Sequence, residues 1–64
     1  MNKKIDLYFN GDYIYSTTGS KTCKEAKTRL LESSRDYVAR FPNVTLIERQ
    51  FLKRPDLLKA RFSK

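Results

Sequence analysis

An Asn-Gly pair at residues 10 and 11 joins two stretches in which apolar and polar residues alternate, and no other feature constrains the fold as strongly. The stretches run from Lys3 to Phe9 and from Asp12 to Thr17. Alternation is typical of a strand with one buried face, and Asn-Gly suits a two-residue hairpin turn because both residues adopt positive φ there. The sequence therefore predicts an antiparallel hairpin.

A two-residue turn also predicts the register of the hairpin. It pairs Phe9 with Asp12, Tyr8 with Tyr13, Leu7 with Ile14, Asp6 with Tyr15 and Ile5 with Ser16. One face of the hairpin is then apolar and is expected to enter the core: Ile5, Leu7, Phe9 and Ile14. The other face is aromatic and polar and is expected to meet solvent: Lys4, Asp6, Tyr8, Tyr13, Tyr15 and Thr17.

A helix is predicted to follow the hairpin. Thr22 with Glu25 forms a capping box, in which each side chain bonds to backbone amides at the helix start. The helix begins at Cys23 and ends at Pro42-Asn43. Its apolar residues recur at helical spacing, with the small Ser33 and Ser34 between them: Ala26, Leu30, Tyr37, Val38 and Phe41.

The segment after the helix contains two further predicted elements. Residues Val44 to Phe51 are rich in strand formers and predict a third strand. Pro55-Asp56 marks a turn, and the alternation in residues 57–63 favours a fourth strand, with a short helix as the alternative. The predicted fold is a single α+β domain over residues 1–64, a small antiparallel sheet with one helix packed on one face, in ββαββ order.

Charge is the main guide to function. The chain of 64 residues has 14 Lys and Arg against seven Asp and Glu, a net charge of +7. Residues 42–64 hold six of those bases, Lys64 included, against two acids. Such an excess is typical of proteins that bind polyanions, although a run of charge is also a common form of solvated surface. We expect the basic residues of this last third to contact phosphates.

The tyrosine face of the hairpin adds flat rings on which bases or sugars stack. The candidate nucleic-acid-binding residues are Tyr8, Tyr13, Tyr15, Thr17, Lys4, Arg49, Lys53, Arg54, Lys59 and Arg61. Tyrosines are also good strand formers, so the same pattern is compatible with hairpin stability alone or with self-association. We expect a nucleic-acid-binding module, with DNA ahead of RNA. The alternative is a small interaction or inhibitor module that docks on an acidic protein or forms a homodimer through its sheet edges.

Catalysis is not expected. The chain has no His and one Cys, Cys23, and its carboxylates form no pattern that suits a metal or a nucleophile with its base. We therefore expect no catalytic residue, metal, cofactor or small-molecule substrate. The lone cysteine excludes an internal disulfide, and residues 1–6 lead directly into the hairpin pattern, with no apolar stretch of signal-peptide or membrane-spanning length. A cytoplasmic protein without a membrane partner is the expectation.

Residues 12–27 run through the second predicted strand, a short loop and a Thr-x-x-Glu-Ala helix start. This stretch resembles the arm-type DNA-binding domains at the N-termini of phage and transposon tyrosine integrases. The resemblance implies a sheet inserted in the major groove, with Tyr13, Tyr15 and Thr17 facing DNA, and an accessory factor of a phage or mobile element. Those domains usually have three strands before the helix and a recombinase domain after it, whereas two strands are predicted before the helix here.

Overall fold

The computed structural model describes residues 3–44 and 46–63. Its strands are β1 (Ile5–Phe9), β2 (Asp12–Thr17) and β3 (Leu58–Phe62), and its helices are α1 (Cys23–Arg40) and α2 (Ile47–Lys53). The three antiparallel strands lie in the order β2-β1-β3. The α+β class with an antiparallel sheet is therefore confirmed. Thr45, within the predicted third strand, and Lys64, in the basic tail, lie outside the described residues.

The hairpin forms as predicted at its turn and differs from the prediction further on. Asn10 and Gly11 have φ of 53° and 87°, the left-handed values that a two-residue turn needs. The pairs Phe9–Asp12 and Tyr8–Tyr13 are confirmed. Beyond them Ile14 is inserted as a bulge, so that Tyr15 lies opposite Leu7, Ser16 opposite Asp6 and Thr17 opposite Ile5. The predicted pairs of Ile14, Tyr15 and Ser16 are each wrong by one residue.

Helix α1 begins as the capping box predicts. The Glu25 backbone N–H donates to Thr22 Oγ1 over 3.0 Å, and the Lys21 backbone N–H donates to Glu25 Oε2 over 3.1 Å. Both bonds satisfy amides that have no partner inside the helix. The buried stripe of α1 consists of Ala26, Leu30 and Ser34.

The strand predicted over Val44 to Phe51 is wrong, because residues 47–53 form α2. Strand propensity reflects how well side chains pack on a sheet, and a competing tertiary contact overrides it. That contact is made by Phe51, which is 1% exposed and stacks edge-on against Phe9 with ring centroids 5.0 Å apart. A helical turn brings Phe51 under the sheet while its backbone groups bond within the helix. The observed order is thus ββααβ, with a 3₁₀ turn at Pro55–Leu57 before β3.

The last element is a strand, as favoured by its alternation. β3 pairs with β1 from Phe9–Leu58 to Ile5–Phe62, and the Ser63 N–H extends the pairing to the Lys4 carbonyl at 2.8 Å. β1 is therefore the central strand. The core lies between the sheet and the helices: Ile5, Leu7, Phe9, Ala26, Leu30, Phe51 and Leu58, with Ile14 packed against it. Within residues 3–44 and 46–63, neither helix has the length and apolar character needed to cross a membrane.

Candidate nucleic-acid interface

The sheet surface that points away from the helices is the candidate interface, and we call it the outer face. It consists of Asp6, Tyr8, Tyr13, Ser16, Lys59 and Arg61. These residues form two rows across the three strands, because opposite residues of neighbouring strands share a face. One row is Ser16, Asp6 and Arg61, and the other is Tyr13, Tyr8 and Lys59. Lys4 is exposed and, by alternation from Ile5, extends the same face.

A cation and two tyrosine rings are in contact on this face. The Arg61 guanidinium carbon lies 4.8 Å from the centroid of the Tyr8 ring. The Tyr8 ring meets Tyr13 edge-on, with centroids 5.8 Å apart and planes at 72°. Tyr13 is 58% exposed, so much of its ring is open to a ligand. The arrangement presents a positive charge next to an accessible aromatic surface.

The acidic residue of the outer face is held by the hairpin itself. The Ser16 hydroxyl donates to the Asp6 carboxylate, and the Tyr13 hydroxyl lies 2.9 Å from Ser16 Oγ. Among the described residues, the ion pairs within 4.0 Å are Glu25–Arg29 and Arg54–Asp56. Neither Lys59 nor Arg61 belongs to them, so both charges remain available for an anion.

An open groove of about 260 Å³ runs beside β3 on this side of the hairpin turn. It is lined by Tyr8, Gly11, Lys59, Ala60 and Arg61. Gly11 leaves open space, since a Cβ built there would meet no atom within 4 Å. The groove thus offers a ring, two cations and an unobstructed turn to a flat or anionic group.

Tyr15 and Thr17 do not lie on the outer face, contrary to the prediction. The bulge at Ile14 places them opposite Leu7 and Ile5, which are fully buried on the side of the helices. Because side chains alternate between faces, one inserted residue transfers every later side chain of β2 to the other face. Burial and, second, the negative charge of Glu48 raise the pKa of Tyr15 above its ordinary value. The same transfer brings Ser16 onto the outer face.

The predicted basic residues of α2 and the following turn are engaged elsewhere or lie away from the sheet surface. The Arg49 side chain donates to the carbonyls of Val44 and Phe41 and so ties α2 to the end of α1. Arg54 forms a two-bond pair with Asp56, at 3.2 and 3.1 Å, and these bonds hold the pKa of Asp56 below its ordinary value. Lys53 is exposed in the last turn of α2. The structure therefore brings together Tyr8, Tyr13, Lys4, Lys59 and Arg61 from the predicted set.

Sequence reasoning missed a second concave site on the side of the helices. This groove has a volume of about 350 Å³, and we call it the tyrosine groove. It is lined by Tyr15, Leu30, Ser33, Ser34, Tyr37 and Glu48, which come from β2, α1 and α2. No spacing in the sequence could reveal it, because its assembly depends on the bulge in β2 and on the helical form of residues 47–53.

Comparison of the chain with protein-family models, with curated proteins and with solved structures gives no match. The two grooves and the outer face are therefore interpreted from their geometry and charge.

Proposed function

We propose that this chain is a DNA-binding module that uses its outer face as the contact surface. The observation that carries the proposal is the stack of Arg61 on Tyr8 and the edge-on contact of Tyr8 with the exposed Tyr13, with Lys59 in the same row. Cations bind phosphates without regard to sequence, while aromatic rings contact bases or sugars. The net charge of +7 favours the approach of a polyanion.

The dimensions of the sheet favour duplex DNA over duplex RNA. Neighbouring strands lie about 4.8 Å apart, so the backbones of three strands span roughly 10 Å. The major groove of B-form DNA is about 12 Å wide and accepts a strand ribbon, whereas the deep, narrow major groove of A-form RNA does not. In this arrangement Tyr8, on the central strand β1, points to the groove floor, and Lys59 and Arg61, on the edge strand β3, lie near a phosphate wall.

The first test is a fluorescence anisotropy titration of the whole chain with labelled duplex DNA, single-stranded DNA and duplex RNA at about 50 and 200 mM salt. Lys4, Lys59 and Arg61 give about three phosphate contacts, so the logarithm of the association constant for duplex DNA should fall with a slope of about −2.7 against the logarithm of salt concentration. This slope means a loss of about 40-fold between the two salt concentrations.

Matched variants assign the binding to the outer face. Arg61→Ala should weaken binding about tenfold and reduce the salt slope by about one, because it removes one phosphate contact and the stack on Tyr8. Arg35→Ala removes a charge that is also exposed, from α1, and should leave the slope unchanged. Equal effects of the two substitutions would show that net charge, and not the outer face, governs binding.

The alternative function is a protein-interaction module. Both β2 and β3 are edge strands, and open edges are where another chain can add a strand. Failure to bind any of the three nucleic acids at low salt would favour this alternative. Strong binding to single-stranded DNA alone would support base stacking on the tyrosines and would contradict docking of the sheet in the major groove.

A further inference from the structure

The tyrosine groove lies on the side of the sheet opposite the outer face. Two half-exposed rings border it, Tyr15 at 41% and Tyr37 at 44% exposure. Glu48 and the buried Ser34 are also among its lining residues. The groove therefore combines aromatic surface, a carboxylate and a hydroxyl from three different elements.

Ser34 is the first lining residue that a ligand in this groove would satisfy. The residue is 1% exposed, and its hydroxyl has no hydrogen-bond partner among the described residues. A serine within a helix commonly bonds back to a carbonyl of the preceding turn, and a buried hydroxyl without any partner destabilises the protein. A donor placed in the groove would supply the missing bond.

Glu48 is the second such residue. It is half-buried, and within the described part of the chain it forms no ion pair, although Lys and Arg outnumber Asp and Glu by 14 to seven. Its charge acts on the Tyr15 hydroxyl, which it makes harder to ionise. Glu48 therefore leaves a half-buried negative charge in this groove with which a cation from another molecule can pair.

The groove continues along the end of α1. An adjoining concavity of about 380 Å³ shares Ser33 and Tyr37 with it and adds Asp36, Arg40 and Phe41. Asp36 is exposed, and the described residues place no base within ion-pair distance of it. The combined surface is aromatic and carries two carboxylates, Glu48 and Asp36, against one base, Arg40. Its net charge is therefore negative, which suits an extended chain that presents a cation.

We propose that the tyrosine groove binds an arginine side chain presented by an extended segment of a protein partner. A guanidinium is planar and stacks on tyrosine rings, while its forked donors reach a carboxylate and a hydroxyl together. A lysine ammonium is a compact, strongly hydrated charge and uses the rings less well. Nucleic acid is disfavoured in this groove, because Glu48 is the charged residue of its lining and repels phosphates. The inference thus assigns the two sides of the sheet to two different partners.

The test is an NMR titration of the uniformly ¹⁵N-labelled chain with the blocked tripeptide acetyl-Gly-Arg-Gly-amide. We expect concentration-dependent shifts at the amides of Tyr15, Ser34, Tyr37 and Glu48. The peptide with citrulline in place of arginine has nearly the same shape without the charge and should bind at least tenfold more weakly. The lysine peptide should bind at least threefold more weakly than the arginine peptide.

Three variants test the residues that the proposal uses. Glu48→Gln should lower the affinity for the arginine peptide at least fivefold, and Ser34→Ala should lower that affinity about twofold to threefold. Glu32→Gln removes an exposed carboxylate from α1 and should have no effect. The spectrum of each variant without peptide verifies that it is folded.

Three outcomes would overturn the proposal. Equal affinity for the arginine and citrulline peptides would show that the groove does not recognise the positive charge. An equal loss of affinity for the arginine peptide in Glu48→Gln and Glu32→Gln would show that the binding is a non-specific charge effect. Shifts at the same four residues on dilution without peptide would identify a second copy of this chain as the occupant. None of these readouts involves nucleic acid, so they leave the proposed function of the outer face untouched.

Discussion

A single residue, Ile14, decides what each face of the sheet displays. It is the extra residue of the bulge in β2, and it packs against the core. The bulge moves Tyr15 from the outer face to the tyrosine groove and brings Ser16 opposite Asp6. Each surface therefore depends on a local irregularity that alternation alone does not predict.

The environment of Tyr15 leads to a pH prediction. Burial and then Glu48 raise its pKa above the ordinary value of 10.0, so the folded chain holds this proton at a pH where the unfolded chain has lost it. The resulting contribution to stability is complete below pH 10.0 and is lost as pH rises through the raised pKa. Urea unfolding at pH 9, 10 and 11 should show a steeper loss of stability for the natural chain than for Tyr15→Phe.

A spectrophotometric titration at about 295 nm provides the control for this prediction. Glu48→Gln should lower the pKa of Tyr15, because it removes the second cause of the shift, while Glu32→Gln should leave it in place. Identical pH dependence of stability in the natural chain and Tyr15→Phe would contradict the assigned environment.

At the scale of the element, the stability of α1 depends on the hydrogen bonds of its first turn. The Thr22 hydroxyl and the Glu25 carboxylate each accept a backbone amide there. Since α1 supplies Ser33, Ser34 and Tyr37 to the tyrosine groove, an intact helix is required for that site as well as for the core.

Thr22→Ala should lower the free energy of unfolding by about 1 kcal/mol, because the Glu25 amide loses its acceptor. Thr28→Ala is the matched control, since Thr28 is exposed inside the same helix and alanine is the better helix former. We expect it to be neutral or slightly stabilising. Chemical denaturation of both variants measures the difference, and an equal effect would argue that the capping bond adds nothing.

At the scale of the whole molecule, the hydrophobic core is small, and its largest fully buried side chain is an aromatic ring. Phe51 leads the fully buried side chains by volume and joins α2 to β1 through Phe9. A core in a domain of this length supplies roughly 3–5 kcal/mol of net stability. The loss of a buried phenylalanine side chain costs about 3–5 kcal/mol, which is of the same size.

Phe51→Ala should therefore leave the chain largely unfolded at about 25 °C, with loss of amide dispersion in the NMR spectrum and of the cooperative transition on heating. Phe41→Ala removes the same side chain from a position that is 48% exposed and should keep the fold. A folded Phe51→Ala chain with an unchanged midpoint of thermal unfolding would show that packing of α2 on the core does not stabilise the fold.

The two proposed surfaces lie on opposite sides of one sheet, and the difference in their charge is a property of the whole molecule. The outer face carries Lys59 and Arg61 without an ion pair among the described residues, whereas the tyrosine groove carries Glu48. A polyanion and a cationic segment are therefore assigned to different residues, so that neither proposal excludes the other.

Short-range patterns predicted the parts of this fold that depend on neighbouring residues. The turn at Asn10 and Gly11 and the cap at Thr22 involve residues no more than four positions apart, so their chemistry is visible in the sequence. The alternation in β3 was enough to favour a strand, and the pairing of that strand with β1 places Lys59 and Arg61 on the same face as Tyr8 and Tyr13.

Tertiary structure decided the rest, for one physical reason. The bulge at Ile14 turns one neighbouring face of the hairpin toward the core, and the helix at residues 47–53 and the pairing of β3 with β1 join residues far apart in the chain, so all three depend on packing. Phe51 packs on Phe9 across more than half the chain, and that contact outweighs the local strand preference of its segment. The sequence by itself determined the hairpin turn, the start of α1 and the excess of positive charge, whereas packing determined where Tyr15 and Glu48 meet.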